Sequence, residues 1–145
     1  MIDDQSEFDA ALDRIERADV LGVDTEADSF FSYREKVCLI QISTRDDDFL
    51  IDSLADLPIE DLHDTFANEK QFKIFHDAEF DIGILKRDFD FTFRSIFDTR
   101  VALSMLGCPK PGLANVLEDR YGVKLDKSPQ RSNWKARPLS VEQLT

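Results

Sequence analysis

The chain has 145 residues, a length that suits one domain with its own apolar core. Hydrophobic residues make up 42% of it, and no apolar run is long enough to span a membrane. The formal net charge of −12 argues against a broad nucleic-acid-coating surface, but not against an enzyme that handles phosphates through bound metal ions.

The start, Met1-Ile2-Asp3-Asp4, is acidic and unlike a signal peptide. Ser6 then precedes apolar residues at Phe8, Ala11, Leu12 and Ile15, which predicts an amphipathic helix with Ser6 as N-cap. Val20 to Glu26 reads as a buried strand that ends by presenting Asp24 and Glu26 on one face, since residues two apart share a side. Two carboxylates side by side need a positive partner, and a divalent ion held by oxygen ligands is the usual one. A strand end with two solvated acids is the competing reading at this point. Asp28 to Lys36 reads as a loop, Val37 to Ser43 as a second strand, and Asp48 to Asp52 as a third, paired through a turn at Thr44–Asp47. Cys38, inside an apolar strand pattern, is expected to be a reduced, buried thiol. With the absent signal peptide it suggests a cytoplasmic protein.

Pro58 opens a predicted helix to about Asn68. Gln71 to His76 is a fourth strand, Asp77 to Asp88 a helix, and Ser95 to Phe97 a fifth strand. Asp98 is placed to cap a helix through Leu106, and Leu113 to Tyr121 is a further helix closed by Gly122. Lys124 to Pro138 has no periodicity and carries five cations against the single acid Asp126. Ser140 is a good N-cap for a last turn. The pattern predicts a mixed five-stranded α/β sheet flanked by helices, residues 1–145 forming one domain. Phosphate-loop, dinucleotide, nucleophile-elbow and HExxH motifs are all missing from the sequence, and with two His a catalytic triad is poorly supported.

On the helix from Asp77, Asp81 shares a face with Ile84 and Leu85. An acid among core residues needs a partner, and a cation shared with Asp24 and Glu26 would supply one. Asp77 fits the helix cap better by position, which leaves Asp81 unexplained by capping.

Asp24-Thr25-Glu26, Ser32-Tyr33 and Val37 to Ser43 resemble the first motif block of the ribonuclease D family. His76 to Leu85 is similar to its second block, with Asp81 in the metal-ligand position. Phe97-Asp98-Thr99, Leu125 to Ser128, Asn133-Trp134, Ala136 to Ser140 and Gln143-Leu144 match further landmarks. The resemblance implies a ribonuclease H-like fold and a 3′–5′ exonuclease of the DEDD type, tyrosine subtype. It would use two divalent ions, Mg²⁺ or Mn²⁺, on a single-stranded 3′ end of RNA or DNA. Asp24, Glu26 and Asp81 would be its catalytic acids and metal ligands, with the backbone of Thr25 near the terminal hydroxyl. Phe30, Phe31, Tyr33 and Phe80 could stack on bases or wedge between them, with core packing the better reading for Phe31. Lys127, Arg131, Lys135 and Arg137 could grip phosphates, and Trp134 could instead anchor that loop. His76 is expected to hydrogen-bond the strand end and not to act as a base. The family's third block, a tyrosine followed four residues later by an acid, should come just after Gln143-Leu144. Thr145 ends the chain, and Tyr33 and Tyr121 are followed four residues on by Val37 and Leu125. The expectation is therefore an exoribonuclease domain lacking its C-terminal part, its 145 residues alone inactive, or, alternatively, a catalytically incomplete nucleic-acid-binding or scaffold domain of that fold. Phosphotransfer on an Asp is a weaker alternative, because Lys73 starts its strand.

Overall fold

The computed structural model describes residues 1–29, 33–126 and 132–144. Its strands are β1 (Val20–Ala27), β2 (Val37–Ser43), β3 (Asp48–Ile51), β4 (Phe72–Phe75) and β5 (Ile96–Asp98). Its helices are α1 (Gln5–Arg17), α2 (Leu62–Ala67), α3 (Glu79–Phe89), α4 (Thr99–Met105) and α5 (Leu113–Tyr121). The strands form one sheet in the order β3-β2-β1-β4-β5. The first three are antiparallel neighbours, while β1–β4 and β4–β5 are parallel. A parallel neighbour requires a crossover, and the chain from β3 through α2 to β4 and through α3 to β5 provides two.

Alternation along β1 sends Leu21, Val23 and Thr25 to one side of the sheet. There they join Ile40, Ile42 and Ile51 from the sheet, Phe8, Ala11 and Ile15 from α1, Phe66 from α2, and Ile84 and Leu85 from α3. Phe66, Phe91 and Phe93 close this core, with ring centroids 4.9 Å apart for Phe66–Phe93 and 5.1 Å for Phe66–Phe91. Lys73 is fully buried on the same side. Its ammonium donates to the carbonyls of Asn68 (2.6 Å) and Thr65 (3.3 Å), and so satisfies the C-terminus of α2. A second, smaller cluster of Cys38, Leu39, Trp134 and Leu139 covers the other side of β2.

Several element ends differ from the sequence reading. The N-cap of α1 is Asp4, whose carboxylate accepts from Ser6 N–H (2.9 Å) and Glu7 N–H (3.1 Å). The predicted helix from Pro58 begins as a 3₁₀ turn over Ile59–Asp61 before α2. α3 begins at Glu79, because Asp77 has a left-handed φ of 74° and its side chain caps nothing. The final segment is one 3₁₀ turn, Val141–Gln143, held by the Ser140–Gln143 capping box. Asp98 and Gly122 act as expected, Gly122 ending α5 at φ 69°, where a Cβ would be strained. Among the described residues no helix is long and apolar enough to cross a membrane.

Candidate active site

β4 pairs with β1 only from Val20 to Gly22, so the second half of β1 runs past its parallel neighbour. Asp24 and Glu26 lie on this overhang, on the side away from the main core, opposite Gln41 and Leu39 of β2. Asp24 is exposed and Glu26 half-buried. Thr25, between them, points the other way and is buried. Its hydroxyl donates to the carboxylate of Asp81 at 2.6 Å, and Asp81, in the first turn of α3, is itself buried.

The electrostatics of these acids carry more information than their positions. Partial burial, then the charge of Asp81, pushes Asp24 up to about 6. Burial, then the charges of Asp24 and Asp81, pushes Glu26 up to about 8. Asp81 is also raised, by burial, against the lowering effect of the Thr25 hydroxyl. Among the described residues no cation pairs with these three carboxylates, and each is held away from its ionised form. A divalent cation fits this donor set chemically, since it favours hard oxygen ligands. Among the described residues, however, no three acidic, His or Cys side chains are gathered closely enough to hold an ion as they stand. Thr25 keeps Asp81 on its own side of β1, while Asp24 and Glu26 face the other.

A cleft of about 320 Å³ opens beside Asp24, lined also by His76, Asp77, Arg100, the start of α5 and Asp126. Asp98 ties together the elements that carry Asp77 and Arg100. Its carboxylate accepts four backbone N–H groups, those of Asp77 (3.1 Å), Ala78 (2.8 Å), Arg100 (2.9 Å) and Val101 (3.1 Å), so one side chain braces the start of α3 and caps α4. These bonds hold Asp98 below the usual carboxylate range despite partial burial. The Thr99 hydroxyl donates to the Phe75 carbonyl (3.0 Å), so the His76 Nδ1 at 2.8 Å must carry the proton and donate to Thr99. His76 is thus tied to the end of β4. Arg100 pairs with Asp77 in the same cleft. The brace by Asp98 across to α3 and the Thr25–Asp81 bond were not legible in the sequence. An acid before a helix reads only as that helix's cap, and a threonine between two acids gives no sign of its far partner. A second hollow of about 300 Å³ between α4 and α5 holds none of the three acids.

The remaining site expectations separate. Phe80 is 48% exposed at the start of α3, free to meet a base. Tyr33 is fully exposed. Trp134 is buried and anchors its segment to β2. Arg137 is a correction. All five of its N–H donors are used inside the protein, on both oxygens of Asp52 (2.5 and 2.6 Å) and on the carbonyls of Cys38, Trp134 and Ala136. It cannot also grip a phosphate. Lys135 is exposed, whereas Phe30, Phe31, Lys127 and Arg131 lie outside the described residues.

The profile of a 3′–5′ exonuclease family matches residues 1–145. The chain belongs to that 3′–5′ exonuclease family. It is 37% identical over 142 residues to the exosome complex exonuclease RRP6 of Saccharomyces cerevisiae, a match covering 96% of this chain and 19% of that protein. The chain thus spans about a fifth of the length of this curated relative. Escherichia coli RNase D superimposes with a TM-score of 0.90 at 26% identity, over 99% of this chain and 39% of that one. This confirms the ribonuclease H-like fold and the kinship with ribonuclease D. Brucella melitensis NrnC, solved with bound Mg²⁺, superimposes with a TM-score of 0.74 at 25% identity, over 89% of this chain and 64% of that one.

Proposed function

We propose that this exonuclease-family domain removes nucleotides from single-stranded 3′ ends of RNA, and of DNA as a secondary substrate, in a reaction that depends on divalent metal. The observation that carries the reading is the placement of Asp24 and Glu26 on the overhanging end of β1, both raised by burial and by the charge of Asp81, which is raised by burial itself. Asp24, Glu26 and Asp81 would hold two ions, Mg²⁺ or Mn²⁺. When bound, such ions neutralise charge on the phosphate and activate water for attack on phosphorus. The Mg²⁺ in the NrnC structure supports the choice of metal.

The chain's own groups do the rest. Thr25 fixes Asp81 through its hydroxyl and offers its backbone to the terminal 3′-hydroxyl of the substrate. Phe80 presents a ring edge or face to the last base, a sequence-tolerant contact. Asp98 holds the strand–helix junction rigid, so that α3 and its Asp81 keep their place against β1. His76, tied to Thr99, shapes the cleft wall and takes no proton in the reaction.

The test is hydrolysis of a 5′-labelled single-stranded RNA with Mn²⁺. The expected result is a ladder shortening from the 3′ end, abolished by a 3′ block and by Asp24→Asn, whose melting temperature should hold or rise. Cleavage of the 3′-blocked strand would refute the exonuclease reading. A second reading, a catalytically incomplete nucleic-acid-binding domain, is favoured by the ungathered state of the three acids. Strand binding without hydrolysis at any Mn²⁺ concentration would select it.

A further inference from the structure

With Arg137 spent on Asp52 and Lys124 within 3.6 Å of Glu118, the basic segment near the C-terminus offers fewer free cations than its composition promises. Another basic surface lies near the end of β1. An open groove of about 530 Å³ is lined by Arg34, Lys36, Val37, Ser53, Leu54, Arg87, Asp88 and Phe89. It sits at the rim of the sheet beyond the end of β1. The Lys36 N–H donates to Asp28, two residues past Glu26, at 2.7 Å, and Val37 pairs with Ala27.

The groove's charge is arranged so that its cations are left over. The one carboxylate among its described lining residues, Asp88, accepts from the Val37 N–H (3.0 Å) and from Arg87 (2.8 Å). Arg87 in turn donates to the Glu35 carbonyl (2.6 Å) and pairs with the Glu35 side chain, which pins the 33–36 segment to α3. Arg34 and Lys36 are exposed. Neither side chain makes a hydrogen bond or an ion pair among the described residues, and Lys36 only feels the charge of Asp88. Leu54 and Phe89 supply apolar wall, and the fully exposed Tyr33 stands next to Arg34 in sequence. Free cations, apolar wall and an exposed ring are the parts of a single-strand track. A hollow at the other end of the sheet also holds three cations, Arg14, Arg17 and Arg45, but faces them with Asp19, Asp46 and Asp47.

We propose that this groove takes the sugar–phosphate backbone of the single strand whose 3′ end lies at Asp24 and Glu26, with Arg34 and Lys36 on phosphates and Tyr33 under a base. The proposal rests on the exonuclease reading for the identity of the strand, but not on turnover. Arg87 is a positioning residue that holds the segment in place.

The test is fluorescence anisotropy of a 5′-labelled, ten-nucleotide single-stranded RNA, in EDTA, across a salt series. The variants are Arg34→Glu/Lys36→Glu and, as a control of equal charge change at the opposite end of the sheet, Arg45→Glu/Lys70→Glu. The groove variant should bind about tenfold more weakly, with a log–log salt slope shallower by about 0.7 for each phosphate that the protein no longer neutralises. The control should stay close to wild type, and both variants should melt as wild type does. Equal weakening by the two variants would overturn the groove while leaving the exonuclease reading to its own hydrolysis assay. Absence of strand binding by the wild type, or equal binding of polyglutamate, would also overturn it.

Discussion

Replacing Glu26 by Gln should stabilise the metal-free protein, and only where the glutamate would otherwise have to ionise. Glu26 is raised from 4.5 to about 8 in the folded chain. A group raised in this way contributes stability that is fully present below its unfolded value and lost as the pH climbs through the folded one. The wild type should therefore lose stability between about pH 4.5 and pH 8, while the variant, which has no proton to lose there, should not. At about 1.4 kcal/mol per unit, the shift sets a ceiling of roughly 5 kcal/mol, and solvent screening of a half-buried side chain brings the expected gain to about 2 kcal/mol. For a chain of this size that corresponds to a melting temperature higher by about 6 °C at pH 8.5, with almost no difference at pH 4.5. Circular dichroism melts in EDTA at the two pH values read this directly. Millimolar Mn²⁺ should then raise the wild type and narrow the gap, since a ligand that binds only the folded state stabilises it by mass action. A gain of the same size at both pH values, or a loss at pH 8.5, would show that Glu26 is not held in a field of uncompensated negative charge.

Two further substitutions probe the supports of the site. Arg137→Lys should cost about 3 kcal/mol, because a lysine cannot reproduce the bidentate fork and leaves buried Asp52 and three carbonyls short of donors. Urea unfolding checks the size. The single tryptophan, Trp134, should report the loosening as a red-shifted emission below the main transition, and unchanged emission and stability would refute the clamp. Asp98→Ala should destabilise by about 1–3 kcal/mol through the loss of four backbone hydrogen bonds, and the wild-type advantage, fully present above the ordinary Asp value of 3.8, should be lost as the pH falls through the lowered folded one. Equal melting temperatures for the two proteins at pH 7 would refute the brace.

The sequence by itself determined the elements and the chemistry to look for. Period-two and period-3.6 patterns are local, so all five strands and the main helices fall close to their predicted places, with β2 and α5 at their predicted bounds. The Asp24-Thr25-Glu26 spacing fixed two acids on one face of a strand for the same reason. Tertiary structure alone decided what each charged group answers to. Arg137 and Lys135 look equivalent in a basic segment, yet one is locked to Asp52 across 85 residues and the other faces solvent. Asp81 was legible as an acid on a core face, but its partner Thr25 is 56 residues away, and no periodicity encodes a contact of that range. Lys73 likewise reads as the polar position of a strand and proves to be a buried cap for α2. Backbone pattern follows from neighbours in the chain, whereas the partner of a buried charge follows from which surfaces the sheet order brings together, and that order is set only when the whole core packs.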